Sequence, residues 1–272
     1  CIRDSHSCIL TRFTYILFLM QKPNVYLFPQ LDDNYGYLIK NPHETKGVLV
    51  DPSDLDMCLK ILELNDCSAS HIIITHHHDD HISAVDEIKS RFKSLVIGYK
   101  NDSKIPKPDK EVEDQEIFEI HGNEYKVIHT PGHTLQHINY FMLKHNILFS
   151  GDTLFSIGCG RMFEGNPEVF WNSLSKLKQL PEDTKVYCGH EYTMANLKFA
   201  LNIDPDNEKL NEYYKWASHQ EKEHRPTIPT TLSDQLLCNP FLRCDTDQFM
   251  KFFDTQDATE VFAKMRSAKD NF

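Results

Sequence analysis

A run of four histidines and two aspartates, Thr75-His76-His77-His78-Asp79-Asp80-His81, follows directly on the β-branched segment His71 to Thr75 and precedes a helical pattern from Ala84 to Phe92. A strand ending in such a run delivers it to a strand-to-helix loop at a sheet edge, where loops commonly carry function. Imidazole together with carboxylate is the ligand set of zinc, iron or manganese rather than of calcium. In an extended or loop segment, side chains at i and i+2 point the same way. His76 and His78 can therefore grip one ion while Asp80 and His81, past the turn, reach a second, with His77 and Asp79 pointing elsewhere. A lone His-x-His is most often a plain surface loop. Here Thr130-Pro131-Gly132-His133, Ser150-Gly151-Asp152-Thr153 and Cys188-Gly189-His190-Glu191 place three more candidate ligands, each just after an apolar strand. The glycines let the backbone turn tightly beside them.

Short apolar runs set the framework. Strands are expected at Val25 to Phe28, Tyr35 to Ile39, Val48 to Val50, Leu95 to Tyr99, Tyr125 to His129, His137 to Leu143, Ile147 to Ser150 and Val186 to Cys188. Helices are expected from Asp54 to Leu64, with Ser53 as N-cap, and from Pro167 to Leu180, while the polar stretch Asn101 to Gln115 reads as loop. After Gly189 the pattern turns helical, over Thr193 to Leu201 and Asn207 to His224, and no strand is expected beyond it. The fold class is α+β with a C-terminal all-helical domain. The chain is expected to divide into 23–192, which carries every candidate ligand, and 193–272, a helical domain. Residues 1–22 are open to reading as a leader or as upstream read-through, with Met20 an alternative start. Their apolar run, 9–20, is too short for a membrane span and carries Arg12.

Composition limits the partners. A net charge of −11 over 272 residues argues against nucleic acid or an anionic membrane as partner, either of which needs a clustered basic face. A small anionic substrate would need a local basic pocket, and a monomer is expected. The eight cysteines are scattered without a Cys-x-x-Cys pair, which favours a reducing compartment. The cytoplasm is the expected location, with organellar targeting by residues 1–19 the alternative. Cys159 and Cys188 lie near site elements but have no base nearby, so both read as structural.

These residues resemble the metallo-β-lactamase superfamily and, within it, the hydroxyacylglutathione hydrolase (glyoxalase II) family. The likeness runs from about Val25 to the end. It is carried by Asp32-Asp33-Asn34-Tyr35, Val50-Asp51-Pro52, Thr75 to His81, Thr130 to His133, Gly151-Asp152-Thr153-Leu154-Phe155, Tyr187 to Tyr192, Asn196 to Ala200, Asn239 to Arg243 and Arg266 to Phe272. The resemblance implies an αββα sandwich in which His76, His78 and His133 hold one metal ion, Asp80, His81 and His190 hold another, and Asp152 bridges them. Asp80 and Asp152 are then the catalytic carboxylates. Asp51, and in a similar part His137, would support the ligands from behind. The implied cofactors are two divalent ions, zinc first, with iron or manganese as alternatives.

Two such ions roughly 3.5 to 4 Å apart share a water and lower its pKa toward about 7, so a metal-bridging hydroxide is the expected nucleophile. The implied reaction is hydrolysis of S-(2-hydroxyacyl)glutathione, S-D-lactoylglutathione above all, to glutathione and D-lactate, the second step of methylglyoxal detoxification. Glutathione would be held by Arg161, Tyr192, Arg266 and Lys269. Arg161 stands where lysine is more usual, and Phe163 where a tyrosine is, so one hydroxyl contact is missing. Asp79 replaces a bulky aromatic, and Gln136 a residue commonly glycine. A mononuclear iron dioxygenase acting on glutathione persulfide is the main competitor, and His190 and the helical tail count against it. A two-metal phosphodiesterase or ribonuclease comes next, disfavoured by the acidic balance, followed by a non-catalytic metal-binding protein.

Overall fold

Two six-stranded sheets face each other in a computed structural model that describes residues 22–272. The apolar run 9–20, and with it the reading of the N-terminus as a leader, lies outside the described residues. The first sheet runs β1 (Asn24–Gln30), β2 (Asn34–Lys40), β3 (Lys46–Val50), β4 (Ser68–Ile73), β5 (Leu95–Tyr99) and β6 (Lys110–Val112). β1 to β3 pair antiparallel and β3 to β6 parallel. Helix α1 (Leu55–Leu64) makes the crossover from β3 to β4, and α2 (Asp79–Ile82) with α3 (Val85–Phe92) that from β4 to β5. The second sheet contains β7 (Ile117–Ile120), β8 (Asn123–His129), β9 (Ile138–Met142), β10 (Ile147–Gly151), β13 (Lys185–Cys188) and β14 (Thr230–Thr231), in that spatial order. The hairpin β11 (Leu154–Phe155) and β12 (Gly158–Cys159) and the helix α4 (Pro167–Leu177) separate β10 from its parallel neighbour β13.

Period-two alternation explains why the strands read as unbroken apolar runs. Val48 and Val50 of β3, Ile73 of β4 and Tyr37 and Ile39 of β2 point into the space between the sheets, against Tyr125, Val127, Tyr140, Ile147 and Phe149. Their neighbours Leu38, Leu49, Ile72 and Ile74 face outward under α1 and α3, with Leu62, Val85 and Ile88. On the other side Ile128, Leu148 and Val186 lie under α4 and the last helix, α9 (Ala258–Asp270), through Phe170, Leu174, Val261 and Phe262. The central strands are buried on both faces, so alternation with polar residues is lost there, while the edge strand β7 keeps it. The result is the expected αββα layering, α+β in class, with a helical C-terminal part. That part comprises α5 (Thr193–Ile203), α6 (Glu208–Lys222), α7 (Leu232–Cys238), α8 (Asp247–Phe252) and α9. Among the described residues no helix is long and apolar enough to cross a membrane.

Several local expectations are corrected. The N-cap of α1 is Asp54, whose carboxylate accepts the Met57 amide at 3.1 Å, rather than Ser53. The stretch Asn101 to Gln115 contains the edge strand β6, and β7 follows it. A strand does occur after Gly189: β14 pairs with the edge of β13. α4 stops at Leu177, three residues before Leu180. The three strands are short edge elements, formed by pairing with a neighbour rather than by local propensity.

Candidate metal centre

Every candidate ligand lies just past the C-terminal end of a strand. β4 leads into His76 to His81, β8 into His133, β10 into Asp152 and β13 into His190. Because β3 and β4 run parallel, as do β10 and β13, these ends fall on one edge of the sandwich, where open α/β sheets place their sites. Gly151 has φ of +45°, a left-handed conformation that favours glycine, and this bends the chain so that Asp152 turns back over the edge.

The structure brings all seven predicted ligands together. Nε2 of His76 lies 3.1 Å and Nε2 of His133 lies 3.0 Å from Nδ1 of His78. Asp80 Oδ2 lies 3.5 Å from His81 Nε2 and 3.4 Å from His190 Nε2. Within each triad the donor atoms all lie within 4.8 Å of one another. Asp152 faces both, with Oδ1 3.4 Å from His81 Nε2 and Oδ2 3.4 Å from His133 Nε2 and 3.3 Å from His190 Nε2. His81 Nε2 and Asp152 Oδ1 are buried without a hydrogen-bond partner among the described residues. Buried polar atoms are rarely left so, and cations between the two triads would satisfy both. The residues present therefore fit a pair of metal ions.

The charge balance agrees. Burial pushes the carboxyls of Asp152 and Asp80 up, but neighbouring His190 and His81 outweigh it and hold both well below the usual carboxylate range. Burial pulls His190 down, but Asp152, Asp80 and Asp33 outweigh it and push its imidazole up to about 11. Burial also pulls His81 down, but Asp152, Asp51 and Asp80 outweigh it and raise its imidazole, whereas burial lowers those of His78 and His133. His76, wholly buried among other imidazoles, is held far below its ordinary value and stays neutral.

A second layer of contacts orients the ligands, as ligating imidazoles require. His81 Nδ1–H donates to Asp51 Oδ2 at 3.0 Å, as expected for Asp51. Asp51 also accepts the Thr75 amide at 2.8 Å and the Thr75 hydroxyl at 2.6 Å, and the same hydroxyl oxygen accepts His76 Nδ1–H at 3.0 Å. His190 Nδ1–H donates to Asp33 Oδ1 at 2.9 Å, and Asn34 Nδ2 donates to Asp80 Oδ2 at 2.8 Å. His133 Nδ1–H donates to the carbonyl of Arg161 at 2.9 Å. His137 acts differently from Asp51: its Nε2 accepts the backbone amide of Asp152 at 3.0 Å, so it steers the carboxylate through the main chain. Sequence reasoning noticed Asp33 and Asn34 only as part of a matching motif and gave them no role, because they read as ordinary turn residues. His77 does point away, toward Asp102 and Glu164, and Asp79 is exposed and stands outside both triads.

A cleft of about 640 Å³ opens over the ligands, lined by Phe155, Arg161, Phe163, Tyr192, Arg266 and Lys269, along with Cys159 and Asp270. The ring of Phe163 meets His78 and His133 edge-on, at centroid distances of 5.7 and 5.2 Å. Tyr192 stacks on His190 at 4.7 Å. Arg266 is only 3% exposed and already engaged, with NH2 2.8 Å from Asp270 and NH1 3.1 Å from the Cys159 carbonyl. Among the described residues Lys269 Nζ has no carboxylate partner; it donates to the Ala195 carbonyl at 3.1 Å and sits over the rings of Phe199 and Phe272. Burial, with Arg266 and Arg161 nearby, lowers its pKa. Burial pushes the thiols of Cys159 and Cys188 up to about 11 and 12, so neither supplies a thiolate at neutral pH.

Comparison with known proteins agrees with the architecture. Residues 31–190 match the metallo-beta-lactamase superfamily and residues 191–272 match the hydroxyacylglutathione hydrolase C-terminus. A hydroxyacylglutathione hydrolase of Pelagibacter ubique is 42% identical over 89% of this chain and 97% of its own length. One from Photobacterium profundum is 43% identical over 90% and 97%. The crystal structure of ETHE1 from Myxococcus xanthus superposes with a TM-score of 0.65 at 24% identity, covering 91% of this chain and 90% of that one, a likeness of fold.

Proposed function

This chain belongs to the hydroxyacylglutathione hydrolase family of the metallo-β-lactamase superfamily and is a thiolester hydrolase, and we propose that it converts S-D-lactoylglutathione and related S-(2-hydroxyacyl)glutathiones to glutathione and the 2-hydroxy acid. Such a reaction is the second step of methylglyoxal detoxification. His76, His78 and His133 would hold one ion, Asp80, His81 and His190 the other, and Asp152 both. When bound, the two ions, zinc first with iron or manganese as alternatives, supply a water acidified toward a pKa of about 7 and a Lewis acid for the thiolester carbonyl.

The chain's own residues do the rest. Asp80 and Asp152, held below the usual carboxylate range, stay ionised at neutral pH, and their carboxylates would help hold the ions and orient the water these supply. Phe155 and Phe163 border the reacting centre with apolar surface. The leaving thiolate, whose thiol has a pKa of about 8.5, needs little protonation. Lys269 and Arg161 would bind the peptide carboxylates, with Arg266 held in place beside them by Asp270. Tyr192 would offer its hydroxyl to the peptide backbone, and Phe163 only its ring. The sandwich, 23–192, carries the chemistry, and the helical part, 193–272, completes the cleft. The free cysteines among the described residues accord with a reducing compartment, and we place the chain in the cytoplasm and expect it to work as a monomer.

One observation carries the substrate reading. On an acidic chain, Arg161, Arg266 and Lys269 gather on the wall of the cleft that contains the two ligand triads. Purified protein given S-D-lactoylglutathione should release thiol and stop doing so after exhaustive chelation. Oxygen consumption with glutathione persulfide, without thiolester hydrolysis, would establish the dioxygenase reading instead.

A further inference from the structure

The two ligand triads are supported unequally. In the first, His76 donates to a hydroxyl, Thr75 Oγ1, and His133 to a carbonyl, Arg161, both neutral acceptors. In the second, His81 donates to the carboxylate of Asp51 and His190 to that of Asp33, while Asp80 is itself anionic and is fixed by Asn34 through both its carboxylate, at 2.8 Å, and its carbonyl, at 3.1 Å. A carboxylate acceptor fixes the imidazole tautomer and raises the basicity of the opposite nitrogen more than a neutral acceptor does. Two of these three supports come from one place, the turn from β1 into β2, where Asp33 ends the turn and Asn34 opens β2.

That turn is also fastened to the His190 loop by the main chain. The Tyr35 amide donates to the Gly189 carbonyl at 2.8 Å, the Glu191 amide donates to the Asp33 carbonyl at 2.9 Å, and Asn34 and His190 form a β-bridge. The carboxylate of Glu191 is gripped in turn by the Tyr35 hydroxyl at 2.8 Å and by the Thr227 amide and hydroxyl at 2.9 and 2.7 Å. Turn and loop therefore hold one geometry before any ion arrives, and a ligand set that need not be ordered on binding binds more tightly.

We propose that Asp33 and Asn34 are positioning residues that make the Asp80, His81, His190 set the tighter of the two metal sites. The inference rests on the binuclear reading of the centre, and counting metal separates the two.

The experiment dialyses the zinc-loaded full chain against graded concentrations of a chelator and measures zinc per chain, with circular dichroism reporting the fold. The native chain should lose its two ions in two steps. Asp33→Asn and Asn34→Ala should each move the more resistant step to a chelator concentration about 10- to 100-fold lower and leave the other step in place. His133→Asn should remove the labile step and keep the resistant one. Asn34→Ala leaves the Asp33–His190 pair intact, so it decides the matter if Asp33→Asn does not fold. A resistant step unmoved in the folded turn variants, or lost in His133→Asn, overturns the assignment. Fewer than two ions in the native chain overturns the binuclear reading and the assignment with it.

Discussion

Replacing Asp51 by asparagine tests how the centre selects the tautomer of its ligands. Asp51 sits at φ of +49°, a region that asparagine tolerates as well as aspartate does, so the substitution changes the carboxylate and little of the backbone. Three donors converge on it: the Thr75 amide on Oδ1, and the Thr75 hydroxyl and His81 Nδ1–H on Oδ2. The side-chain oxygen of the introduced asparagine must face the Thr75 N–H, which cannot turn away, and this places its NH2 against the other two. The hydroxyl can rotate. His81, 1% exposed, can avoid two opposed donors only by moving its proton to Nε2, the nitrogen that faces Asp152 and Asp80.

Exchanging charge-assisted for neutral hydrogen bonds should cost metal-free protein about 1 to 3 kcal/mol. Losing the His81 ligand atom should weaken the second metal site at least about 10- to 100-fold. Urea unfolding of the metal-free forms gives the first quantity, and zinc per chain after dialysis gives the second. Long-range ¹H–¹⁵N spectra of the imidazoles give the tautomer directly. A variant that holds both ions as firmly as the parent, with His81 still protonated at Nδ1, would refute the reasoning.

The remaining predictions concern the walls of the site and the packing behind it. Gly189→Ala would drive a methyl against Asp152 Oδ1 and to 2.7 Å from His81 Cε1, so it should destabilise by about 1–3 kcal/mol and lower metal content, read by thermal unfolding and metal analysis. Lys269→Ala should raise KM with a smaller change in kcat, because the lysine binds ground and transition states alike. Arg266→Ala should raise KM and also lower Tm, since the Cys159 carbonyl and Asp270 lose their partner; an unchanged KM in both variants would remove these residues from the substrate site. Asp204, beside Arg243 at 2.5 Å and only 6% exposed in its side chain, has its carboxyl held below the ordinary range: burial raises it, but the hydrogen bonds from Arg243, Asn207 and Gln248 outweigh that. Its ion pair therefore stabilises the fold above the ordinary carboxylate pKa of about 3.9 and loses that effect as pH falls through the depressed value. Asp204→Asn should be less stable than the parent at neutral pH by about 3 kcal/mol in urea, a gap that closes in acid and would be constant if the pair were idle.

What was legible in the sequence is what local chemistry can specify. Four imidazoles and two carboxylates in one loop have few uses besides metal binding, and the apolar strands before His133, Asp152 and His190 already placed those ligands at a sheet edge. Buried strands announce themselves by their β-branched runs, so the sandwich could be anticipated, whereas β6, β7 and β14 are short edge strands whose pairing defines them. Apart from Asp51, which the family resemblance already supplied, tertiary structure decided how the ligands are supported. Asp33 reaches His190 from 157 residues away and Asn34 reaches Asp80 from 46 away. Nothing in a turn residue's own chemistry records which distant ring it will meet. The same holds for Arg266: its basic side chain was offered to the substrate from the sequence, but its ties to Asp270 and the Cys159 carbonyl come only from the fold. The sequence determined the ligand types because metal chemistry demands them. The fold determined their protonation, orientation and unequal support, because those depend on distance and burial, which only packing sets.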